Sequence, residues 1–340
     1  MPGDSTTFST PGTRVAVRFL LPEPDPTTGA RLTDVTGTLV ENGPDRVVID
    51  SARGRVVVPR ERVVASRVIP PRPVRRGAPH RSLSVEDLER VMIGAWPPVE
   101  RATLCQWVLR AGHGFTARSN SALAVGSPGR TLEEALSEVA RWYELRSLPT
   151  LLTVPVTDVE ALDRDALVTV ARAAGWRSGE PVLVQTAATA AVRRADAPDV
   201  AVEVREHMCD EWYAALATYR TAPRAAAQAV LHGSPDQRFA LVRDAGGSVV
   251  AIGRLGVSDG WGGLGAMWVA PGHRRRGVGR ALVRALADEA SALGCVSLHL
   301  QVETVNSAAR ALYAQVGFST HHAYAYLAPG AAPGPVSQEC

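Results

Sequence analysis

Alternating valines mark the first stretch of the chain. Residues 13–69 contain TRVAVRFLL, TDVTGTLVE, DRVVIDS and GRVVVPRERVV, separated by Pro, Gly and Asp turns. A period of two with turn residues between the runs predicts four or five short strands. So many strands in so short a stretch predict a small all-β barrel. The run VIPPRPVRRGAPHRS that follows is too poor in apolar residues to pack and reads as an extended linker.

From residue 84 the pattern alternates between helix and strand. SVEDLERVMIGAW opens like a capped helix, GFTARSNSALAVG reads as a strand, TLEEALSEVARWYELR as an amphipathic helix and PTLLTVPV as a strand. RDALVTVARAAGW then reads as a helix and PVLVQT as a strand. After the short polar segment RRADAPD, the stretch VAVEVREHMCDEWYAALATYR is predicted helical. A hairpin of FALVRD and SVVAIGRLGV follows, and then the strand GLGAMWVAP. The pattern divides the chain into a barrel over 1–70, a linker over 71–83, α/β units over 84–192 and 200–330, and a tail over 331–340.

The strand GLGAMWVAP runs directly into GHRRRGVGRALVRALADEASALG, whose Val278, Leu282, Ala285, Leu286 and Leu293 recur at helical spacing. Gly277 and Gly279 therefore sit where a helix opens behind a strand. The first turn of a helix has backbone N–H groups with no internal partner, and the dipole adds roughly half a positive charge there. Glycines let an anion approach those amides, and Arg274, Arg275, Arg276 and Arg280 add charge around them. The next strand, CVSLHLQVE, leads into NSAARALYAQVGF, where Asn306 and Tyr313 lie seven residues apart. Two turns of helix would put them on one face, about 10.5 Å apart along the axis.

Composition narrows the picture. The chain has 340 residues, 46% of them hydrophobic and 21% charged, enough apolar surface for more than one folded core. All 37 basic residues are arginine, so arginine runs are discounted as evidence of phosphate binding, and a net charge of +3 gives nucleic-acid binding little support. Cys105, Cys209, Cys295 and Cys340 are scattered, without metal-ligand spacing. The amino terminus lacks a basic start with an apolar stretch behind it, and no run is long enough to span a bilayer, so a cytoplasmic location is expected.

At residues 239–327 the chain resembles the GNAT (GCN5-related) N-acetyltransferases. Arg274, Gly277 and Gly279 match the family's R/Q-x-x-G-x-G/A loop, and Asn306, Ala309 and Tyr313 match N-x-x-A-x-x-x-Y. The resemblance implies the GNAT acyl-CoA N-acyltransferase fold, a mixed, splayed central sheet flanked by helices. It implies acetyl-CoA as co-substrate and a primary amine, on a small molecule or a protein, as acceptor. The backbone of Met267, Trp268 and Val269 would pair with the pantetheine arm, and Arg274 to Arg280, including Val278, would surround the pyrophosphate. Asn306 and Ala309 would support the arm from the other side. Tyr313 would protonate the departing thiolate, a feasible transfer between groups of pKa near 10 and 8.5.

The base is less specified. An amine of pKa about 10.4 costs roughly 4 to 5 kcal/mol to present neutral at pH 7. Glu303, at the end of the cofactor-facing strand, is the first candidate, with His321 and His322 behind it. Cys295 is given no role. The acceptor pocket is expected from residues 200–235 and 321–326, with His207, Asp210, Glu211, Trp212, Tyr213, Tyr324 and Tyr326. Arg118 and Asn120 either face that cleft or satisfy local turns.

An internal comparison suggests duplication. SALAVGSPGRTLEEALSEVARWYELRSLPTLLTVPV and RDALVTVARAAGW follow the same order of elements as the segment from Gly265 to Phe318. Aligning Gly175 with Gly317 puts Ala171 at the place of Tyr313 and Arg164 at that of Asn306. Glu133 and Glu134 fall in the first turn of the earlier helix, where their charge would repel phosphate. The expectation is a degenerate first half that binds no CoA. The barrel resembles the Src-homology-like barrels at the level of pattern and is a candidate surface for a protein partner. Two other readings are a non-catalytic acyl-CoA-binding protein and a partner-docking protein; Tyr313 favours the enzyme.

Overall fold

The valine alternation becomes five strands: β1 (Arg14–Leu20), β2 (Leu32–Asn42), β3 (Arg46–Ser51), β4 (Gly54–Pro59) and β5 (Val63–Val68). The structure, a computed structural model, describes residues 11–24, 29–51, 54–69, 78–220 and 223–330. The strands pair antiparallel in the order β4-β3-β2-β1-β5. Successive side chains on a strand point to opposite faces, and one face gathers Val15, Val17, Leu39, Val47, Ile49 and Val58 into a core. Gly37 passes so near β3 that a Cβ there would stand 2.2 Å from the Asp50 carbonyl oxygen. Met1–Arg72 forms one compact unit and Pro73–Cys340 another. The expected linker residues 71–77 and the expected tail, 331–340, lie outside the described residues.

In the second unit, Ser84 caps α1 (Val85–Ala95) by accepting from the Asp87 N–H at 3.0 Å. A hairpin, β6 (Glu100–Leu104) and β7 (Trp107–Ala111), comes next, then β8 (Ala122–Leu123), α2 (Leu132–Glu144) and β9 (Leu152–Val156). This half closes with α3 (Ala166–Ala173), β10 (Trp176–Ser178), β11 (Val182–Ala188) and α4 (Thr189–Arg194). The second half holds β12 (Glu203–Arg205), α5 (Asp210–Ala217), α6 (Arg224–Leu231), β13 (Asp236–Arg243), β14 (Val249–Ser258) and β15 (Trp261–Val269). It ends with α7 (Val278–Ala292), β16 (Ser297–Glu303), α8 (Ser307–Gln315) and β17 (Ser319–Pro329).

Two local readings are corrected. The segment GFTARSNS is not a strand: Asn120 Oδ1 accepts from the N–H groups of Gly112 (2.8 Å) and Gly114 (2.9 Å) and its amide donates to Thr116 O (2.6 Å), which folds the chain into a short 3-10 turn at Ala117–Ser119. The stretch 200–220 is not one helix either. Its alternating start pairs with β13 as β12, and only Asp210–Ala217 coils.

One continuous sheet of twelve strands runs through both halves in the order β12-β13-β14-β15-β16-β11-β17-β9-β8-β7-β6, with β10 attached to β17. The halves exchange closing strands. β11, from the first half, lies antiparallel between β16 and β17, and β17, from the second, pairs with β9. Each half also holds one parallel pair, β8 with β9 and β15 with β16. The two repeated patterns thus share a single sheet, and neither half closes its sheet without the other's last strand.

The sheet faces differ. One buries Leu298, Leu300, Val302, Ala323 and Ala325 in the same core as Val278, Leu282, Val283 and Leu286 of α7, which recur at helical spacing. The other carries Val182, Val184, Trp261, Tyr324 and Tyr326 under Leu88, Val91 and Met92 of α1. Among the described residues no helix is long and apolar enough to cross a membrane.

Candidate active site

The site begins where two strands part. β15 and β16 pair only through Trp261–Gly263 and Ser297–His299. A register shift between Ile252 and Arg254 of β14, opposite Ala266 at φ 51°, puts a bulge in β15 just beyond. Bulges re-aim a strand and end pairing. The backbone of Met267, Trp268 and Val269 therefore runs on with a wedge between it and the rest of β16.

At the wide end of the wedge, Arg274 Nε donates to Val269 O at 2.9 Å and ties the loop to the strand end. Arg275 (φ 58°) and Gly277 (φ 80°) are both left-handed, and Gly277 is the N-cap of α7. No side chain caps this helix, and no acid lies in its first turn. Its amides face outward beside the exposed Arg274, Arg275 and Arg276 and the half-buried Arg280. The glycines serve partly another purpose than the one expected: a Cβ on Gly277 would stand 2.5 Å from Pro198 Cγ, and one on Gly279 2.7 Å from Leu312 Cδ1. Protein packs against them, and the amides are presented by backbone shape.

The equivalent end of α2 is shut. Thr131 Oγ1 accepts from the Glu134 N–H at 3.3 Å and Glu134 Oε2 accepts from the Thr131 N–H at 3.1 Å, a closed capping box with Glu133 and Glu134 in the first turn. Arg110 spans β8 and β9, donating to Ser121 O (2.8 Å), Ser121 Oγ (2.9 Å) and Thr153 Oγ1 (3.1 Å).

Asn306 does not lie on a helix face with Tyr313. It is the N-cap of α8, and its Oδ1 accepts from the Ala309 N–H at 3.1 Å. Its counterpart in the first half is Asp165, which caps α3 in the same way, one residue later than the alignment on Arg164. Tyr313 is buried on the α7 face with its ring edge-on to Phe318, 5.9 Å between centroids. Glu303, also buried, ends β16 on the opposite face, because Leu298, Leu300 and Val302 take the α7 side. Acid and base candidates thus flank the wedge from its two faces.

Polar side chains gather on the α1 face. His299, Gln301 and Glu303 line up along β16, and the Tyr324 hydroxyl donates to Gln301 Oε1 at 3.0 Å and lies 3.3 Å from the Tyr326 hydroxyl. Burial raises both phenols above their ordinary range, and the nearby Arg118 guanidinium opposes the rise. Burial pushes His299 down to about 3, with Arg118 and His322 adding to the effect, so the ring is neutral at physiological pH. Cys295 is buried, and its thiol is pushed up to about 11 by burial, which keeps it protonated and inert.

The two histidines offered as reserve bases are engaged. His321 Nε2 faces Leu83 O at 3.1 Å, the two Nδ1 atoms of His321 and His322 face each other at 2.9 Å, and His322 Nε2 faces Glu89 Oε1 at 2.9 Å. A carbonyl only accepts, so His321 Nε2 donates. Following donors along the chain leaves one proton more than two neutral rings and an ionised carboxylate would hold. The cluster is therefore neutral overall, and it pins α1 to β17. Glu89→Ala is expected to destabilise the fold by about 1 to 3 kcal/mol, because it leaves the buried His322 Nε2 without its partner; denaturant unfolding checks it.

Most of the expected acceptor residues serve elsewhere. Trp212 is fully buried and donates from Nε1 to Ala240 O at 3.0 Å, Glu211 pairs with Arg243 at 2.7 Å, Asp210 pairs with Arg224, and His207 stacks on His232. Tyr324 and Tyr326 do belong to the polar group on the α1 face. Of the two residues left open between cleft and local turns, Arg118 lies over Gly265 beside Trp96, whereas Asn120 satisfies the turn; what sequence reading missed is the cover that α1 and Trp96, from the first half, form over this face. The signal was present in WGGLG, since glycines inside a strand mark close approach. A Cβ on Gly263 would meet the His299 ring at 2.6 Å, and one on Gly265 would meet Trp96 at 2.7 Å and Arg118 at 3.4 Å.

Comparison with known proteins agrees with this architecture. The family described as probable histone acetyltransferase Rv0428c C-terminal matches residues 84–327, and the Rv0428c N-terminal Sm-like domain matches residues 9–67. The chain is 31% identical over 326 residues to the Mycobacterium tuberculosis protein named probable histone acetyltransferase Rv0428c, covering 93% of this chain and 94% of that one. The Bacillus subtilis protein named uncharacterized N-acetyltransferase YobR is 25% identical over 246 residues, 70% of this chain and 97% of its own. A GCN5-related N-acetyltransferase from Kribbella flavida superposes with a TM-score of 0.54 at 15% identity, covering 74% of this chain and 96% of that one.

Proposed function

The chain belongs to the GNAT N-acetyltransferases, in the Rv0428c family, and from that premise we propose that acetyl transfer from acetyl-CoA to a primary amine takes place in the wedge between β15 and β16. The observation that carries this reading is the contrast between the two helix ends: α7 opens uncapped beside four arginines, whereas α2 is closed by Thr131 and Glu134. An uncapped helix start with a left-handed loop before it is suited to a pyrophosphate.

In this reading the α7 amides and Arg274 to Arg280 hold the nucleotide end, and the free edge of Met267–Val269 aligns the pantetheine and offers a backbone donor where oxyanion charge develops. Asn306 and Ala309 act by fixing the start of α8, and so the position of Tyr313. Glu303 takes the proton of the attacking amine from the α1 face, and Tyr313 supplies one to the departing thiolate from the α7 face. The amine attacks the thioester directly, the C–S bond breaks, and free CoA thiol leaves.

Calorimetric titration with acetyl-CoA is expected to give one site per chain. A stoichiometry of two would contradict the closed first half, and no binding at all would sink the proposal. Thiol release on adding amines then tests turnover.

A further inference from the structure

Arg254 of β14 is wholly buried and held by neutral groups. Nε donates to Leu231 O, Nη1 to Ala95 O and Nη2 to Ser234 Oγ, each at 2.8 Å. Burial pulls it down to about 9, and Arg118 pushes the same way, so it stays cationic at neutral pH. A buried charge solvated only by dipoles is costly. Here a second cation stands close by: the guanidinium carbons of Arg118 and Arg254 lie 4.9 Å and 5.2 Å from the centroid of the same Trp96 ring. Both meet β15 at Gly265, which pairs with Arg254 across the ladder and leaves room for Arg118. His299, 5% exposed, adds a buried Nε2 with no hydrogen-bond partner, two residues back along the strands. Buried polar atoms in folded proteins are nearly always paired. The region around Gly265 and His299 therefore combines concentrated positive charge with an unsatisfied polar atom.

We propose that this region binds a carboxylate of the acceptor, through Arg118, so that the acceptor is a small amine carrying a carboxylate and not a lysine side chain of a protein. The proposal rests on the acetyl-transfer reading and adds the acceptor class. Gly263 is level with His299, the last pair before the strands part, and Glu303 lies farther along β16 on the same face as His299. In this pose the acceptor's ammonium faces Glu303 and its carboxylate faces Arg118. Arginine takes carboxylates in bidentate fashion, whereas a lysine side chain brings no carboxylate to offset the two guanidinium charges. The neutral Glu89–His322–His321 cluster and the protonated Tyr324 and Tyr326 add no negative charge against the carboxylate.

The test is thiol release from acetyl-CoA with α- and ω-amino acids, their decarboxylated amines and a lysine peptide. The best amino acid should exceed its decarboxylated partner about 100-fold in kcat/KM. Arg118→Ala should bring that ratio close to one, and Arg118→Lys should restore part of it. Equal use of amine and amino acid by the natural protein, preference for the peptide, or a ratio unchanged in Arg118→Ala would overturn the proposal. Thermal stabilisation of the full chain by the same amino acids, but not by the amines, needs no acetyl-CoA. It separates failure of the carboxylate site, where neither class stabilises, from failure of the transferase reading, where stabilisation persists without turnover.

Discussion

Replacing Tyr313 with Phe is expected to lower kcat for acetyl transfer by about 100- to 10,000-fold while leaving the dissociation constant of acetyl-CoA within a few-fold. The range is that of a positioned general acid. The ring itself stays: Phe keeps the edge-on contact with Phe318 and the buried position in α8, so only the hydroxyl is lost. Without it the sulfur leaves as a bare thiolate in a site where burial has already made charge expensive. Thiol-release rates at saturating acetyl-CoA, beside calorimetric affinity, separate chemistry from binding. A kcat within threefold of the natural protein would remove Tyr313 from the mechanism.

The second half was legible because its signals are local. The spacing of Val278, Leu282 and Leu286 gives α7, which is amphipathic over Val278–Ala292. The order of strand, glycine loop and helix also marks the place where the backbone turns left-handed. The barrel strands were legible for the same reason, since a period of two is read within a few residues. Asn306 misled: its spacing to Tyr313 fits a helix face, yet asparagine is a strong N-cap, and the helix begins one residue after it. Of the residues covering the α1 face only Arg118 was a candidate in sequence; α1 and Trp96 were not legible as its cover. That α1 would cover the sheet of the other half, and that β11 would enter between β16 and β17, are long-range pairings that leave no periodicity in the chain. The capping box at Thr131 and Glu134 was visible in sequence as T-x-x-E. There its acids were read for their charge, and the structure shows that they also occupy the amides.

Gly277→Val should abolish useful acetyl-CoA binding, raising the dissociation constant at least 100-fold. Two costs act together. A β-branched residue at φ 80° is a genuine outlier, and its Cβ would stand 2.5 Å from Pro198 Cγ and 2.8 Å from Pro198 Cδ, ring atoms that cannot swing aside as a flexible side chain would. The loop must therefore shift at its connection to α7, and the first-turn amides move with it. Strain of about 1 to 3 kcal/mol at one such residue leaves the fold standing, because α7 is held through seven buried side chains from Val278 to Ala290. Affinity should thus fall far more than stability, and calorimetry beside thermal melting reads the two separately. In the first half the matched change, Thr131→Gly, opens the capping box but leaves Glu133 and Glu134 in the first turn, so it should not create a second site. If Gly277→Val bound acetyl-CoA as the natural protein does, the shape of this loop would have no part in holding the pyrophosphate.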